Sequence, residues 1–127
     1  MSAVWPVPDA GWSLFLDRDG VINERLPGQY VTHPSQLVLL PGVTETLAVA
    51  ARCFGQIFLV TNQQGIGKGL MTEQELHLVH DHLLSLVLAA GGRIDRIYHC
   101  PHLEGSSCGC RKPETGMFDM AQKDFPW

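Results

Sequence analysis

No run of apolar residues in this sequence approaches the ~18 that would span a bilayer, so no membrane span is expected. A basic excess is also missing: nine Lys and Arg face thirteen Asp and Glu, giving a net charge of −4 with His neutral. Nothing in that balance argues for nucleic acid, and no polybasic run argues for an anionic membrane surface. Met1 to Trp12 has no basic region followed by an apolar stretch, so no signal peptide is expected and the default compartment is the cytoplasm. Internal repeats and low-complexity segments are absent too. At 127 residues the chain fits one domain, residues 1–127, with enough length for one core and no room for a separate cap domain.

What is present is an alternation of short apolar runs and helical periods. Residues 12–16 (WSLFL) stop at Asp17 and predict a buried strand. Residues 26–37 hold Pro27, Gly28 and Pro34 and predict a loop. A helix is expected from Val43 to Cys53, with Leu47, Val49 and Ala50 available to the core. Gln56 to Val60 predicts a second buried strand, ending at Thr61-Asn62. Thr72 and Glu75 fit a capping box at the head of a helix carrying Leu76, Val79, Leu83, Leu84 and Val87, which Gly91-Gly92 ends. Arg93 to Tyr98 predicts a third strand and Met117 to Lys123 a last short helix. This order argues for an α/β fold, a parallel sheet with helices on its faces. Ligands in such folds bind beyond the carboxyl ends of the strands. Asp17, Thr61 and Cys100 all sit just past such ends, so three chemically loaded positions converge on one edge.

In the stretch 17–23 (DRDGVIN), two carboxylates stand two residues apart after a buried strand. Asp17 is a competent nucleophile toward phosphorus if a cation cancels the repulsion between anions. Asp19 can protonate a leaving oxygen and later deprotonate water. Mg²⁺ suits the site, because it prefers oxygen ligands and keeps several waters. An acidic turn that merely caps the next segment is the bland alternative. Thr61 and Asn62 can donate hydrogen bonds to phosphoryl oxygens, though Thr-Asn after a strand is often a simple turn. Residues 65–69 (GIGKG) invite a nucleotide-binding reading and fail it. Asn62 and Gly69 stand where a Walker A loop needs Gly and Ser or Thr.

Cys100-Pro101-His102, five residues, then Cys108-Gly109-Cys110 offers three thiolates and an imidazole, a tetrahedral zinc set. Disulfides are the alternative, but they are rare in the cytoplasm and Cys108 and Cys110 are too close to pair comfortably. Four protein ligands leave no open position, so such a zinc would be structural. Cys53 is expected to be an inert core thiol. His33, His77, His80, His82 and His99 match no ligand spacing, and His77, His80 and His82 are expected on helix faces. Arg111-Lys112-Pro113 follows the last ligand directly, so the metal would hold two cations near the strand ends.

Together these pieces resemble the capless, zinc-loop phosphatases of the haloacid-dehalogenase superfamily. That subgroup includes D-glycero-D-manno-heptose 1,7-bisphosphate phosphatases and histidinol-phosphate phosphatases. The matching stretches are DRDGVIN at 17–23, LLPGV at 39–43, TNQQGIGKG at 61–69, CPH at 100–102 and CGCRKP at 108–113, and the resemblance runs from Leu14 to Met117. It implies a Rossmann-like α/β sandwich without a cap, with the zinc loop after the third strand. It also implies a Mg²⁺-dependent phosphomonoesterase with Asp17 as nucleophile and Asp19 as acid/base. Asp17 and the Asp19 carbonyl would hold the magnesium. Lys112 would stabilise the phosphoryl group, Thr61 and Asn62 would bind it, and Asn23 and Arg111 would contact the substrate. The implied partner is a phosphorylated sugar. GIGKGLMTEQEL at 65–76 is closer to the heptose enzymes, which favours the 7-phosphate of heptose 1,7-bisphosphate. The gap between His102 and Cys108 is closer to the histidinol-phosphate enzymes. A monomer is what the resemblance implies for a full-length member.

One family motif has no counterpart. An acidic pair after a further strand supplies a magnesium ligand, and here the sequence reaches Phe125-Pro126-Trp127 where that strand would begin. Asp119 and Asp124 follow no hydrophobic strand. The resemblance therefore covers the front two-thirds of such an enzyme, with C-terminal strands expected to be missing. It leaves open a non-catalytic, zinc-stabilised phosphate-binding domain. A bared sheet edge would favour self-association.

Overall fold

Four consecutive residues of the second apolar run, Ile57, Phe58, Leu59 and Val60, are almost completely buried. A strand covered on both faces reads as a continuous apolar run, and this one is the centre of a parallel sheet. The computed structural model describes residues 6–126, so the first five residues of the stretch read for a leader lie outside the described ones. Strands β1 (Ser13–Leu16), β2 (Gln56–Asn62) and β3 (Arg96–Cys100) pair in the order β1-β2-β3. The register sets Leu16 beside Leu59 and Asn62 beside Cys100. Helices α1 (Val43–Cys53) and α2 (Glu73–Ala89) make the crossovers, and α3 (Gly116–Asp124) follows β3.

Alternate residues of β2 point to opposite faces, and this sorts the core into two layers. Ile57 and Leu59 pack with Leu47 and Ala50 of α1 and with Val79, Leu83 and Val87 of α2. Phe58 and Val60 pack with Met117 and Ala121 of α3 and with Tyr98. Helices α1 and α2 share one face and α3 takes the other, as the rule of right-handed crossovers requires for strands that advance in one direction. The fold is thus the expected Rossmann-like parallel sheet with helices on both faces, and no cap is formed by the described residues. No described helix is long and apolar enough to cross a membrane.

The capping box on α2 forms as read. Thr72 Oγ1 accepts from the Glu75 N–H at 3.0 Å, and Glu75 Oε1 accepts from the Thr72 N–H at 2.9 Å. Three details differ from the sequence reading. Val49 is half-exposed, because Leu47 and Ala50, three residues apart, take the core face of α1. Strand β2 runs on through Asn62. Strand β3 begins only at Arg96, because residues 93–95 form a bracket instead. Asp95 accepts from the Ile57 N–H at 2.7 Å, and Arg93 donates to the carbonyls of Ala51 at 3.1 Å and Phe54 at 2.9 Å. Arg93 thereby satisfies carbonyls at the end of α1 that the helix itself leaves open.

The two-layer core predicts unequal costs along α2. Leu83→Ala, at a fully buried position, should cost about 2–5 kcal/mol of stability. Leu88→Ala, at a position 72% exposed, should stay within about 0.5 kcal/mol of wild type. Urea unfolding of both variants checks the contrast.

Candidate active site

The carboxyl ends of the strands open on a cavity of about 430 Å³ whose wall includes Asp17, Asp19, Thr61, Asn62, Arg111 and Lys112. Strand β1 ends at Leu16, and the chain turns at once. The Arg18 carbonyl accepts from the N–H groups of Val21 and Ile22 at 3.1 and 2.7 Å, and Gly20 takes a φ of +83° that favours glycine. This turn brings both carboxylates to the cavity. Asp17 Oδ1 accepts from the Arg18 N–H at 2.8 Å and faces Lys112 Nζ at 3.0 Å. Among the described residues nothing engages Asp17 Oδ2.

Asp19 is more enclosed. Its Oδ1 accepts from Arg18 Nε at 3.1 Å, Arg18 Nη2 at 2.7 Å and Asn23 Nδ2 at 3.0 Å, and its Oδ2 accepts from Gln63 Nε2 at 2.8 Å. Burial pushes the Asp19 carboxyl up. The Arg18 charge and the hydrogen bonds from Arg18, Asn23 and Gln63 outweigh that and hold it below its ordinary value. Thr61 is buried at the cavity wall, with its hydroxyl also receiving Gln63 Nε2 at 3.0 Å.

Two expected substrate contacts receive other tasks. Asn23, expected to contact the substrate, is fully buried and is not among the residues lining the cavity. Its amide holds Asp19 and the Glu24 carbonyl, because the turn folds residue 23 back behind the acid. Asn62 does line the cavity, but both ends of its amide are engaged by one backbone segment. Its Oδ1 accepts from the Lys112 N–H at 2.9 Å and its Nδ2 donates to the Lys112 carbonyl at 3.3 Å. Asn62 thus holds Lys112 opposite Asp17. Arg111 lines the cavity with a buried Nη1 that has no partner. Asp119 accepts from Thr115, and Asp124 accepts from Tyr98 and Arg96, so neither is among the residues lining the cavity.

The glycine loop forms the opposite wall. A Cβ on Gly65 would lie 2.8 Å from the Tyr30 ring, and one on Gly67 would lie 2.7 Å from the Pro101 carbonyl. Close packing against these two walls, not a phosphate cradle, demands glycine there. Lys68 Nζ lies 5.6 Å from the Tyr30 ring centroid, and both residues face the cavity. Next to it, Cys100, His102, Cys108 and Cys110 place their donor atoms within 4.8 Å of one another and could hold a metal ion. Cys100 and His102 are 3.4 Å apart, His102 and Cys110 3.2 Å, and Cys100 and Cys108 3.7 Å. The hydrogen bond from the Ser106 side chain, with backbone donors, brings Cys108 down to about 5. Cys53 is free and half-buried.

Sequence reasoning missed Arg18, Gln63 and His80. Arg18 is fully buried and reaches His80 Nε2 with Nη1 at 3.0 Å. His80 lies on α2 as expected, but on its buried face. The one signal in the sequence for this pair was a cation set between two carboxylates.

A carboxylate at the end of the first strand, a hydroxyl at the end of the second and a lysine after the third stand together on a parallel α/β sheet of the haloacid-dehalogenase-like class. No protein-family model matches the chain. It is 43% identical over 106 residues to the D-glycero-alpha-D-manno-heptose-1,7-bisphosphate 7-phosphatase of Mycobacterium tuberculosis, covering 84% of this chain and 56% of that protein. It is 40% identical over 113 residues to a Thermoplasma volcanium protein that carries the name "Probable D-glycero-D-manno-heptose-1,7-bisphosphate 7-phosphatase", covering 89% of this chain and 76% of that one. The crystal structure of the D,D-heptose 1,7-bisphosphate phosphatase from B. bronchiseptica, complexed with magnesium and phosphate, matches with a TM-score of 0.83 at 32% identity. That match covers 91% of this chain and 64% of the other. The chain therefore belongs to the heptose-1,7-bisphosphate 7-phosphatase family of the haloacid-dehalogenase superfamily. It spans about half the length, 56%, of the mycobacterial relative.

The Arg18–His80 contact predicts a pH dependence of stability. Burial first, and the Arg18 charge second, bring His80 from 6.5 down to about 3. Between those values the unfolded chain binds a proton that the native state refuses. The stability is therefore fully present above about pH 6.5 and is lost as pH falls toward about 3. Wild type should lose about 2 kcal/mol between pH 7 and about pH 5 through this group, and His80→Gln should lack that component. Urea midpoints of both proteins at the two pH values give the difference, in which any other titrating group cancels.

Proposed function

We propose that this protein is a Mg²⁺-dependent phosphomonoesterase that removes the 7-phosphate of D-glycero-D-manno-heptose 1,7-bisphosphate through an aspartyl-phosphate. The observation that carries the reading is Asp17, with Oδ1 held 3.0 Å from Lys112 Nζ and Oδ2 unengaged at the cavity. Asp17 attacks phosphorus with that free oxygen while Lys112 offsets charge on the phosphoryl group. Thr61 donates its hydroxyl to the same group. Asp19 gives a proton to the departing sugar oxygen and afterwards takes one from the water that hydrolyses the acyl phosphate.

The Asp17 carboxylate and the Asp19 backbone carbonyl are oxygen donors of the kind Mg²⁺ takes, and they would hold it. When bound, the ion supplies charge that cancels the repulsion between the phosphate and the two carboxylates. Four cationic side chains, Arg25, Lys68, Arg111 and Lys112, line the same cavity. That surplus suits a substrate with two phosphates and opposes histidinol phosphate, which brings an ammonium group of its own.

The cysteine cluster fits zinc. Zn–S bonds of about 2.3 Å at tetrahedral angles place sulfurs roughly 3.8 Å apart. Cys100 and Cys108 stand at 3.7 Å. We read the zinc as structural and the unpaired thiols as those of a cytoplasmic protein. Cys108→Ser should lose most of the about one equivalent of zinc expected in wild type and unfold at lower temperature, because binding energy here is also folding energy. Elemental analysis that finds no zinc in wild type purified without chelator would count against the site.

The activity is tested by phosphate release with Mg²⁺ from heptose 1,7-bisphosphate, histidinol phosphate and other sugar phosphates. Release should be fastest from the heptose bisphosphate, and Asp17→Asn should lower it by roughly 10⁴-fold or more while substrate still binds. No release from any ester would leave a metal-stabilised phosphate-binding domain as the better reading.

A further inference from the structure

One fully buried charge stands behind the reacting carboxylates. Arg18 has no exposed surface, and a buried guanidinium is tolerated only where its donors are used. Arginine commonly grips a carboxylate as a fork, with one donor to each oxygen. Here Nε and Nη2 both close on Asp19 Oδ1, at 3.1 and 2.7 Å, and Asn23 adds a third donor to the same oxygen at 3.0 Å. The other oxygen, Oδ2, keeps only the Gln63 amide at 2.8 Å. The remaining arm of Arg18 runs the other way, with Nη1 3.0 Å from His80 Nε2. A guanidinium has donors only, so this imidazole nitrogen is the acceptor and the ring proton sits on Nδ1.

The surroundings keep His80 in that state. Its ring is buried on α2, with the His99 ring of β3 at 6.4 Å, and the charges facing it are those of Arg18, His99, Asp19 and His77. His99 is itself tied to Glu73 at 2.7 Å, so the second ring is fixed as well. Together, a neutral acceptor on α2, a buried guanidinium and one oxygen of Asp19 form a continuous strut from helix to active site.

We propose that His80 is a positioning residue: acting through Arg18 it immobilises Oδ1 of Asp19 and leaves Oδ2 as the oxygen that exchanges protons with the substrate. This rests on the reading of Asp19 as the acid/base. In the first step the Asp17–phosphorus bond forms, the phosphorus–sugar oxygen bond breaks, and the proton on Asp19 Oδ2 passes to the departing alkoxide. In the second, water oxygen bonds to phosphorus, the Asp17–phosphorus bond breaks, and the water proton returns to Oδ2. Helix α2 thereby sets the direction of both transfers without touching the substrate.

The test compares His80→Leu, which leaves Arg18 Nη1 without an acceptor, with His80→Gln, whose carbonyl can replace the ring nitrogen. For a sugar phosphate, His80→Leu should lower kcat by about tenfold to a hundredfold with KM within about twofold, and His80→Gln should recover most of the loss. First-turnover release of nitrophenolate from p-nitrophenyl phosphate should stay within about twofold in His80→Leu, since that leaving group departs without a proton. An equal fall for both substrates would show a merely structural role and overturn the proposal, as would unchanged kcat for the sugar phosphate. Nitrogen-15 NMR of wild type provides a readout independent of turnover. His80 should show the Nδ1–H tautomer and should not titrate between about pH 5 and 8, where an ordinary histidine does. A titrating His80 in an active enzyme overturns the strut alone. A wild type inactive on every ester overturns the phosphatase reading and the role of the strut with it.

Discussion

In the free site two carboxylates stand together at the end of one strand, and each is matched by its own cation. Unit charges about 4 Å apart interact by about 4 kcal/mol at an effective dielectric of 20, enough to protonate one acid or splay the turn. Asp17 is matched by Lys112 and Asp19 by Arg18. The two cations are not equivalent. Lys112 reaches in from a loop as a compact charge that a phosphoryl group can share. Arg18 is locked in the interior, where its charge is tolerable only because Asp19 and His80 use its donors. Removing Asp19 would therefore also strand a buried guanidinium.

The cation that serves Asp17 comes from 95 residues further along the chain, and the structure spends much of its polar bonding on bringing it there. Asn62 extends β2 by one pairing with Cys100 and then receives both backbone groups of Lys112. The loop between Cys100 and Lys112 folds so that Cys100, His102, Cys108 and Cys110 bring their donor atoms within 4.8 Å of one another. The Gly67 N–H donates to the Pro101 carbonyl at 2.9 Å, which seats the glycine loop on the same segment. Sheet, cysteine loop and glycine loop are thus one support, and Lys112 stands where the three meet.

Much of this was legible in the sequence because it depends on local pattern. The apolar runs at 12–16 and 56–60, the Thr72–Glu75 box and the two glycines after α2 are read from neighbouring residues alone. So is the convergence of Asp17, Thr61 and Cys100 on one edge, since a parallel sheet aligns its carboxyl ends. The errors fall where a polar side chain takes a partner far away in sequence. Arg93 and Asp95 look like strand residues until Arg93 finds carbonyls 42 and 39 residues back. Asn62 looks like any polar residue at a strand end until its amide clamps the Lys112 backbone, 50 residues further on. His80 looks like any histidine on a helix face, and its partner is 62 residues away.

The glycine loop shows the same limit from the other side. A cluster of glycines after a strand signals close approach but not what approaches. Here the neighbours are the Tyr30 ring and the Pro101 carbonyl, so the glycines serve packing between two walls. Lys68 leaves that loop over the face of Tyr30 and into the cavity. A ring that a side chain at position 65 would displace therefore helps to set where this cation stands. Charge in the cavity is placed by steric fit at the glycine loop, by an amide clamp at Lys112 and by burial at Arg18. Only the first of these is advertised by the residue types themselves.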